Sequence, residues 1–231
     1  MSSSEQLITE NVARIREQIA AASLASGRSP ASVKLVAVTK YADLSAMAQL
    51  LKTGCSDLGE SRPQDLWRKA KILEMVPRPI RWHFIGHLQR NKVKRTLPLV
   101  TLLHSVDSLR LLEEIQATPM PRPASVLLEV NISGESAKHG FAPAEMPAIL
   151  DSLPRFPQIT VQGLMTMAPL NSTPAAARRS FAQLRELRDQ LLPNCPDCAT
   201  LTELSMGMSG DFSEAIIEGA TLVRIGSALF E

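Results

Sequence analysis

The sequence has few of the residues that mark several common protein classes. Its 231 residues include three cysteines, too few for a disulfide framework in a chain of this length. Aromatic residues make up only 4% and the net charge is +2, so neither base stacking nor electrostatics favours binding to nucleic acid or to an acidic membrane. No apolar run reaches the roughly 20 residues needed to cross a bilayer.

Other absences concern location and metals. The amino-terminal segment has neither a basic start nor an apolar stretch before a cleavage site, so we expect no signal peptide and a cytoplasmic protein. Cys195-Pro-Asp-Cys198 has the spacing of a redox or zinc pair, but no second Cys or His pair lies at partner spacing. Two reduced loop thiols and no metal site are therefore expected.

What the chain does contain is a repeated unit, a short apolar or β-branched run followed by a segment with helical periodicity. Several of the runs are apolar on both faces, as parallel strands covered by helices are. A further helix, about residues 5–26, precedes the first strand and ends at Gly27. The predicted strands are 34–40, 56–61, 81–86, 100–107, 125–133, 159–168, 201–209 and 222–230.

Eight such units with no linker between them fit a closed barrel better than an open sheet. We therefore predict an α/β protein of one domain over residues 1–231, a single (β/α)8 TIM-type barrel with an extra N-terminal helix. Barrels of this kind bind and react at the carboxyl ends of their strands, which is where functional residues are sought.

Lys40 ends the first predicted strand and, by alternation, shares a face with Val36 and Val38. If that face lines the barrel, the ammonium projects into an enclosed, weakly solvated mouth. Desolvation there lowers the pKa of a lysine and supplies the free amine that imine formation needs. The alternative is a solvated lysine at a strand end.

The last two strand ends have the composition of a phosphate site. The seventh strand runs into Ser205–Gly210 and then into a helix, and the eighth ends in Arg224–Ser227. Barrel phosphates commonly bind at these two loops, where glycines allow close backbone approach and serines add donors. An alternative that can also hold is that Asp211 caps the helix, with Glu214 completing a capping box.

Arg224 lies within an apolar strand, where an unpaired guanidinium would be costly. We expect its partner to be a carboxylate of the barrel interior, a phosphate or a ring nitrogen. His83, between Trp82 and Phe84, is expected to be a hydrogen-bonded core histidine and no ligand.

Taken together, these segments resemble the pyridoxal phosphate homeostasis protein family, small barrels similar to the N-terminal domain of alanine racemase. The resemblance extends over nearly the whole chain. The matching segments, in order, are SGRSP, LVAVTK, LGES, WHFIGHLQRNK, HSVD, VNIS, GLMTMAP, LSMGMSGDFSEAI and VRIGSALF.

The resemblance implies a cofactor site for pyridoxal 5′-phosphate (PLP). The lysine that matches Lys40 carries the cofactor as a Schiff base in this family. The segments that match Ser209 and Gly226-Ser227 bind its phosphate, and the arginine that matches Arg224 lies close to it. Met165 is a further expected contact, at the end of the sixth strand.

Two functions follow from that cofactor. The first is a non-catalytic PLP carrier in vitamin B6 and amino-acid homeostasis, expected to be a monomer with PLP-dependent apoenzymes as candidate partners. The second is a small PLP-dependent amino-acid racemase or lyase.

A racemase needs bases on both faces of its substrate, and the only tyrosine, Tyr41, should point away from its strand neighbour Lys40. An arginine facing the pyridine nitrogen would also weaken the ring as an electron sink. The carrier is favoured.

Overall fold

Eight parallel strands form a closed barrel in sequence order, because the last strand pairs with the first. The computed structural model describes residues 3–76, 79–135 and 139–231. The strands are β1 (Lys34–Val38), β2 (Asp57–Glu60), β3 (Arg81–Phe84), β4 (Leu102–Val106), β5 (Ala124–Glu129), β6 (Ile159–Met165), β7 (Ala199–Ser205) and β8 (Leu222–Ile225). The predicted (β/α)8 barrel is thus confirmed.

Helices surround the barrel, and single turns of 3-10 helix extend several of the connections. No helix among the described residues is long and apolar enough to cross a membrane. The α-helices are α1 (Ser3–Ala25), α2 (Leu44–Lys52), α3 (Pro63–Ile72), α4 (Val93–Thr96), α5 (Leu109–Ala117), α6 (Met146–Ser152), α7 (Pro174–Leu191), α8 (Phe212–Ile217) and α9 (Ser227–Phe230).

The extra helix α1 packs on the outside of the barrel against α2, α8 and α9. Its buried apolar positions include Ile8, Val12, Ile15 and Ile19, which recur every three or four residues and therefore lie on one helix face. The buried amide of Asn11 donates hydrogen bonds to the carbonyl oxygens of Leu229 and Glu231, at 3.4 and 3.0 Å. Helix α1 thereby holds the C-terminal segment against the barrel.

The barrel interior holds an apolar cluster that is separate from the main core between sheet and helices. Its five side chains come from β1, β4, β5, β6 and β8, and all are at most 5% exposed: Val36, Leu102, Leu127, Met165 and Leu222. Such an interior is a packed core and not a pore. Polar side chains above this cluster therefore face the barrel mouth.

The strands end earlier than the apolar runs predict. β1 stops at Val38, before Lys40, and β8 stops at Ile225 although the predicted strand continues to residue 230. Residues Ser227–Phe230 form helix α9 instead. Apolar composition does not mark these strand ends, because residues beyond them, such as Thr39 and Leu229, stay fully buried.

β6 and β7 change register where β7 bulges. Val161 pairs with Ala199 but Gly163 pairs with Glu203, and Leu201 between them has a φ of +49°. The bulge brings the β7 backbone so close that a Cβ on Gly163 would lie 1.8 Å from the Glu203 carbonyl oxygen. Only glycine fits at this position.

We expect Gly163→Ala to lower the free energy of unfolding by about 3 kcal/mol or more, because the strands must separate to admit a methyl group. Urea unfolding followed by circular dichroism measures the change. Gly210→Ala is the matched control, since nothing lies within 4 Å of its added Cβ. Equal stability of the two variants would contradict the close approach.

Candidate functional site

The barrel mouth opens into a cavity of about 750 Å³ at the carboxyl ends of the strands. Loops after β1, β2, β3, β6, β7 and β8 line it, together with the start of α1 and the end of the chain. Five of the six predicted site residues line this cavity: Lys40, Ser209, Arg224, Gly226 and Ser227. The sixth, Met165, is 1% exposed in the apolar cluster below, and Met167 lines the cavity in its place.

Lys40 is exposed, so the expectation of an enclosed, weakly solvated amine is wrong. The cause is local, because the strand ends at Val38 and Lys40 and Tyr41 form a turn. Strand alternation does not apply in a turn, and Tyr41 does not point away as expected. The Lys40 Nζ lies 5.0 Å from the centroid of the Tyr41 ring, and both residues line the same cavity.

A buried ion pair fixes the backbone just before Lys40. The Lys69 Nζ, from α3, donates to the Thr39 carbonyl oxygen at 2.6 Å and to Glu60 Oε1 at 2.5 Å. The Thr39 hydroxyl donates to the same carboxylate oxygen at 2.8 Å. Sequence reasoning missed Lys69, although its place three residues after the buried Leu66 sets it on the apolar face of α3.

The loops after β7 and β8 meet at Ser209. Its Oγ accepts hydrogen bonds from the backbone N–H groups of Gly226 and Ala228, at 3.1 and 3.4 Å. The N–H groups of Ser209, Gly210 and Ser227 have no acceptor among the residues that the structure describes. Several backbone donors are therefore gathered around one point of the cavity wall, the arrangement in which protein backbones bind anions.

Asp211 stabilises this loop in a different way from the expected capping box. Its Oδ1 accepts a hydrogen bond from the Met208 N–H at 2.6 Å, and it forms no side-chain cap on α8. The carboxylate points back across the turn because Gly207, with a φ of +90°, reverses the chain there. A Cβ on Gly207 would lie 2.6 Å from Ala215 Cβ, so the turn also needs glycine for space.

Arg224 is buried and hydrogen-bonded on the cavity floor. Its guanidinium donates to the Ser205 Oγ at 2.6 Å and to the Thr166 carbonyl oxygen at 3.0 Å. Burial lowers the pKa of Arg224 to about 10, against the opposing effect of the negative charges of Glu129 and Asp211. The guanidinium therefore stays charged at neutral pH.

A line of hydrogen bonds runs from Arg224 through the barrel interior to Asp57. Ser205 Oγ lies 2.8 Å from His104 Nδ1, His104 Nε2 lies 2.9 Å from His83 Nδ1, and His83 Nε2 lies 3.1 Å from Asp57 Oδ1. His83 is thus the satisfied core histidine that the sequence predicts. The partnership with His104 was missed, because it depends on which strands become neighbours.

The charges at the two ends of this line fit donation in one direction, from Arg224 toward Asp57. Arg224 can only donate, so Ser205 accepts from it and donates its own proton to His104 Nδ1. His104 is neutral, because burial, together with the neighbouring His83 and Arg224, holds its pKa well below the usual range. Its proton is then on Nε2 and is donated to His83, which in turn donates to Asp57. Every group in the line has a partner in this arrangement.

Glu129 is the buried acid of the mouth. It is 5% exposed at the end of β5, and burial, together with the negative charge of Asp107, raises its pKa to about 7. The positive charges of Arg224 and His87 act in the opposite direction but do not cancel the effect. Glu129 therefore changes its charge near neutral pH.

The comparisons with known proteins agree with this architecture. The family model described as alanine racemase, N-terminal domain, matches residues 6–231. A curated relative, the pyridoxal phosphate homeostasis protein of Pseudomonas aeruginosa, is 39% identical over 227 residues, covering 96% of this chain and 94% of the relative. The chain belongs to the pyridoxal phosphate homeostasis protein family.

Two solved structures show the same barrel. An unknown protein from Bifidobacterium adolescentis is 37% identical with a TM-score of 0.91, covering 100% of this chain and 97% of that protein. PipY of Synechococcus elongatus, solved with PLP bound, is 34% identical with a TM-score of 0.82, covering 97% of this chain and all of PipY. The resemblance to the pyridoxal phosphate homeostasis protein family is thereby confirmed over nearly the whole chain.

The raised pKa of Glu129 predicts a pH-dependent stability. Between its unfolded pKa of 4.5 and its folded pKa of about 7, the folded protein binds more protons at this site, so stability falls as the pH rises through that interval. Glu129→Gln removes the effect. The free energy of unfolding of the variant, taken relative to that of the unmodified protein, should therefore be higher at pH 8 than at pH 5 by on the order of 2–3 kcal/mol.

Chemical denaturation at the two pH values measures this difference. Glu113→Gln is the control, because Glu113 is exposed on α5 and its substitution should change stability equally at both pH values. If the Glu129→Gln difference is the same at pH 5 and pH 8, Glu129 does not titrate as described.

Proposed function

We propose that this protein binds PLP at the barrel mouth, with Lys40 as the covalent anchor, and acts as a carrier in vitamin B6 and amino-acid homeostasis rather than as an enzyme. One observation carries the proposal: an accessible lysine amine, a buried guanidinium and acceptor-free backbone N–H groups line the same cavity. The PLP in the related PipY structure supports the same ligand.

The residues of the cavity fit each part of PLP. Its volume of about 750 Å³ is within the usual range for small-molecule sites. The N–H groups of Ser209, Gly210 and Ser227, with the hydroxyls of the two serines, would hold the phosphate. Arg224 offers only donors, so any cofactor atom that meets it must be an acceptor, such as a phosphate oxygen or the pyridine nitrogen.

When bound, PLP supplies an aldehyde that condenses with primary amines and a ring that withdraws electrons. Lys40 would hold the aldehyde. Its side chain is exposed in the mouth, so water and incoming amines reach the same position. Because Lys40 is accessible, bound PLP can exchange with incoming amines, which suits a protein that stores or delivers PLP.

The groups around Lys40 are poorly arranged for catalysis. Tyr41 lies beside the Lys40 amine, with its side chain turned largely to solvent at 79% exposure, and so adds no second base on the far side of the cavity. Two of the carboxylates that line the cavity are already engaged, because Asp43 accepts the N–H of Ala46 and Glu5 lies 3.7 Å from Lys52. If Arg224 meets the pyridine nitrogen, a donor at that atom keeps it unprotonated and weakens electron withdrawal.

The partners and location follow the same proposal. PLP-dependent apoenzymes are the expected recipients, the protein is expected to act as a monomer, and the cytoplasm remains the predicted location. The exposure of Lys40 supports the first of these expectations, because a recipient or an amine can reach it from solvent.

The first test concerns the anchor. Borohydride treatment of the protein loaded with PLP should leave a pyridoxyl group on Lys40, identified by peptide mapping, and Lys40→Ala should lose the covalent label. Lys52→Ala, at an exposed lysine outside the cavity, should label normally. Labelling of Lys69, which lies buried behind Lys40, would contradict the assignment.

The second test separates a carrier from an enzyme. PLP-loaded protein is incubated with each common amino acid in deuterated water, and exchange at the α-carbon is followed by NMR. Turnover should be negligible because Tyr41 supplies no second base opposite Lys40 and the open mouth is poorly preorganised for carbanion chemistry. Rapid exchange that Lys40→Ala abolishes would show a racemase or lyase, the alternative function.

A further inference from the structure

Three metal-ligating side chains meet at the rim of the barrel, outside the lining of the PLP cavity. His87 Nδ1 lies 2.7 Å from Asp107 Oδ2, and His139 Nδ1 lies 3.5 Å from the same oxygen. The two imidazole rings stack at 4.1 Å between centroids with an angle of 14°. Sequence spacing does not reveal this group, because its members lie on three different loops.

The barrel brings these loops together because β3, β4 and β5 are neighbouring strands. His87 follows Gly86, whose carbonyl oxygen accepts the Ser105 hydroxyl at 2.5 Å. Asp107 comes directly after β4. Each of these two positions is therefore fixed by the sheet itself.

His139 comes from the returning end of the loop after β5, and backbone hydrogen bonds hold that end. The Phe141 N–H donates to the Glu129 carbonyl oxygen at 2.8 Å, and the Asn131 N–H donates to the Phe141 carbonyl oxygen at 2.9 Å. Gly140, with a φ of +113°, turns the chain between His139 and this ladder. The imidazole of His139 is thereby directed over Asp107.

The separations suit one metal ion. Zinc binds imidazole and carboxylate at about 2.0–2.1 Å, which places two ligands of a tetrahedron roughly 3.3 Å apart. The observed distances of 2.7 and 3.5 Å lie on either side of that value, and all three donor atoms are within 4.8 Å of one another. The three donors are therefore close enough for one ion to bind all of them after small shifts of the side chains.

The surroundings leave room for water as a further ligand. The Asp107 side chain is 6% exposed, while those of His87 and His139 are 44% and 59% exposed. One face of the group is thus anchored in protein and the other is open. Two imidazoles with one carboxylate favour zinc, cobalt, nickel or copper over magnesium or calcium, which prefer oxygen ligands.

We propose that His87, Asp107 and His139 form a binding site for one divalent transition-metal ion, with solvent in the remaining positions. The site is distinct from the Lys40 cavity and does not depend on PLP. Its donors are held by three neighbouring loops, so the metal would link the rim of β3 to the loops after β4 and β5.

The test is titration of the full-length, chelator-treated and tag-free protein with Co²⁺ and Zn²⁺. Visible absorption of Co²⁺ should report a low-symmetry site, and calorimetry with Zn²⁺ should give one ion per chain. His87→Ala and His139→Ala should each weaken binding by about tenfold or more, and the double variant should abolish it. Both histidines are exposed, so melting curves in chelator should show that the variants stay folded.

A matched control is Cys195→Ser combined with Cys198→Ser, which removes the other pair of metal-binding side chains, both free thiols in this structure. Binding should be unchanged in that variant. The proposal is overturned if the unmodified protein takes up no stoichiometric metal, if the double histidine variant binds equally well, or if the cysteine variant loses binding.

Discussion

A guanidinium inside a β-barrel must have its hydrogen bonds satisfied, and much of this structure depends on how that is done for Arg224. An unpaired buried charge costs far more than one hydrogen bond contributes. Here Ser205 and the Thr166 carbonyl oxygen accept hydrogen bonds from the guanidinium, and Ser205 is in turn hydrogen-bonded to His104. The hydrogen bonds of the guanidinium therefore depend on residues from several strands. They form only if each of these strands is paired in the correct register.

The other end of the line keeps its charges fixed. Burial alone would raise the pKa of Asp57, but hydrogen bonds from Arg81 and His83 bring it well below its usual range. Asp57 therefore remains an acceptor, and Arg224 remains a donor, at any pH near neutral. With both ends constant and His104 neutral, the line has a proton arrangement in which each of its members has a partner. A fixed donor at the cavity floor follows, whatever occupies the cavity above it.

The sequence predicted the barrel and most of the cavity, because both depend on local signals. Apolar runs alternate with helical periods, and strand ends of a barrel converge on one face. Prediction from the sequence failed where the environment of a residue depends on which strands pair or on where a turn begins. The exposure of Lys40 follows from the end of β1 at Val38, the role of Lys69 from the packing of α3, and the contact between His83 and His104 from strand order. Spacing places Lys69 on the apolar face of α3 but does not identify its partners, and it encodes neither the end of β1 nor the strand order.

The contrast between interior and rim bears on what such a site can do. On the cavity floor, Arg224 and its partners are buried and hydrogen-bonded; at the entrance, Lys40 and Tyr41 lie in an exposed turn. Carbanion chemistry needs charges arranged in advance on both sides of the reacting atom and protected from water. In this protein the polar groups of the cavity floor are fixed in advance, and the entrance is open to solvent. One end of a ligand would therefore be held firmly while its reactive end stays accessible. That combination is the one that the proposed carrier function requires.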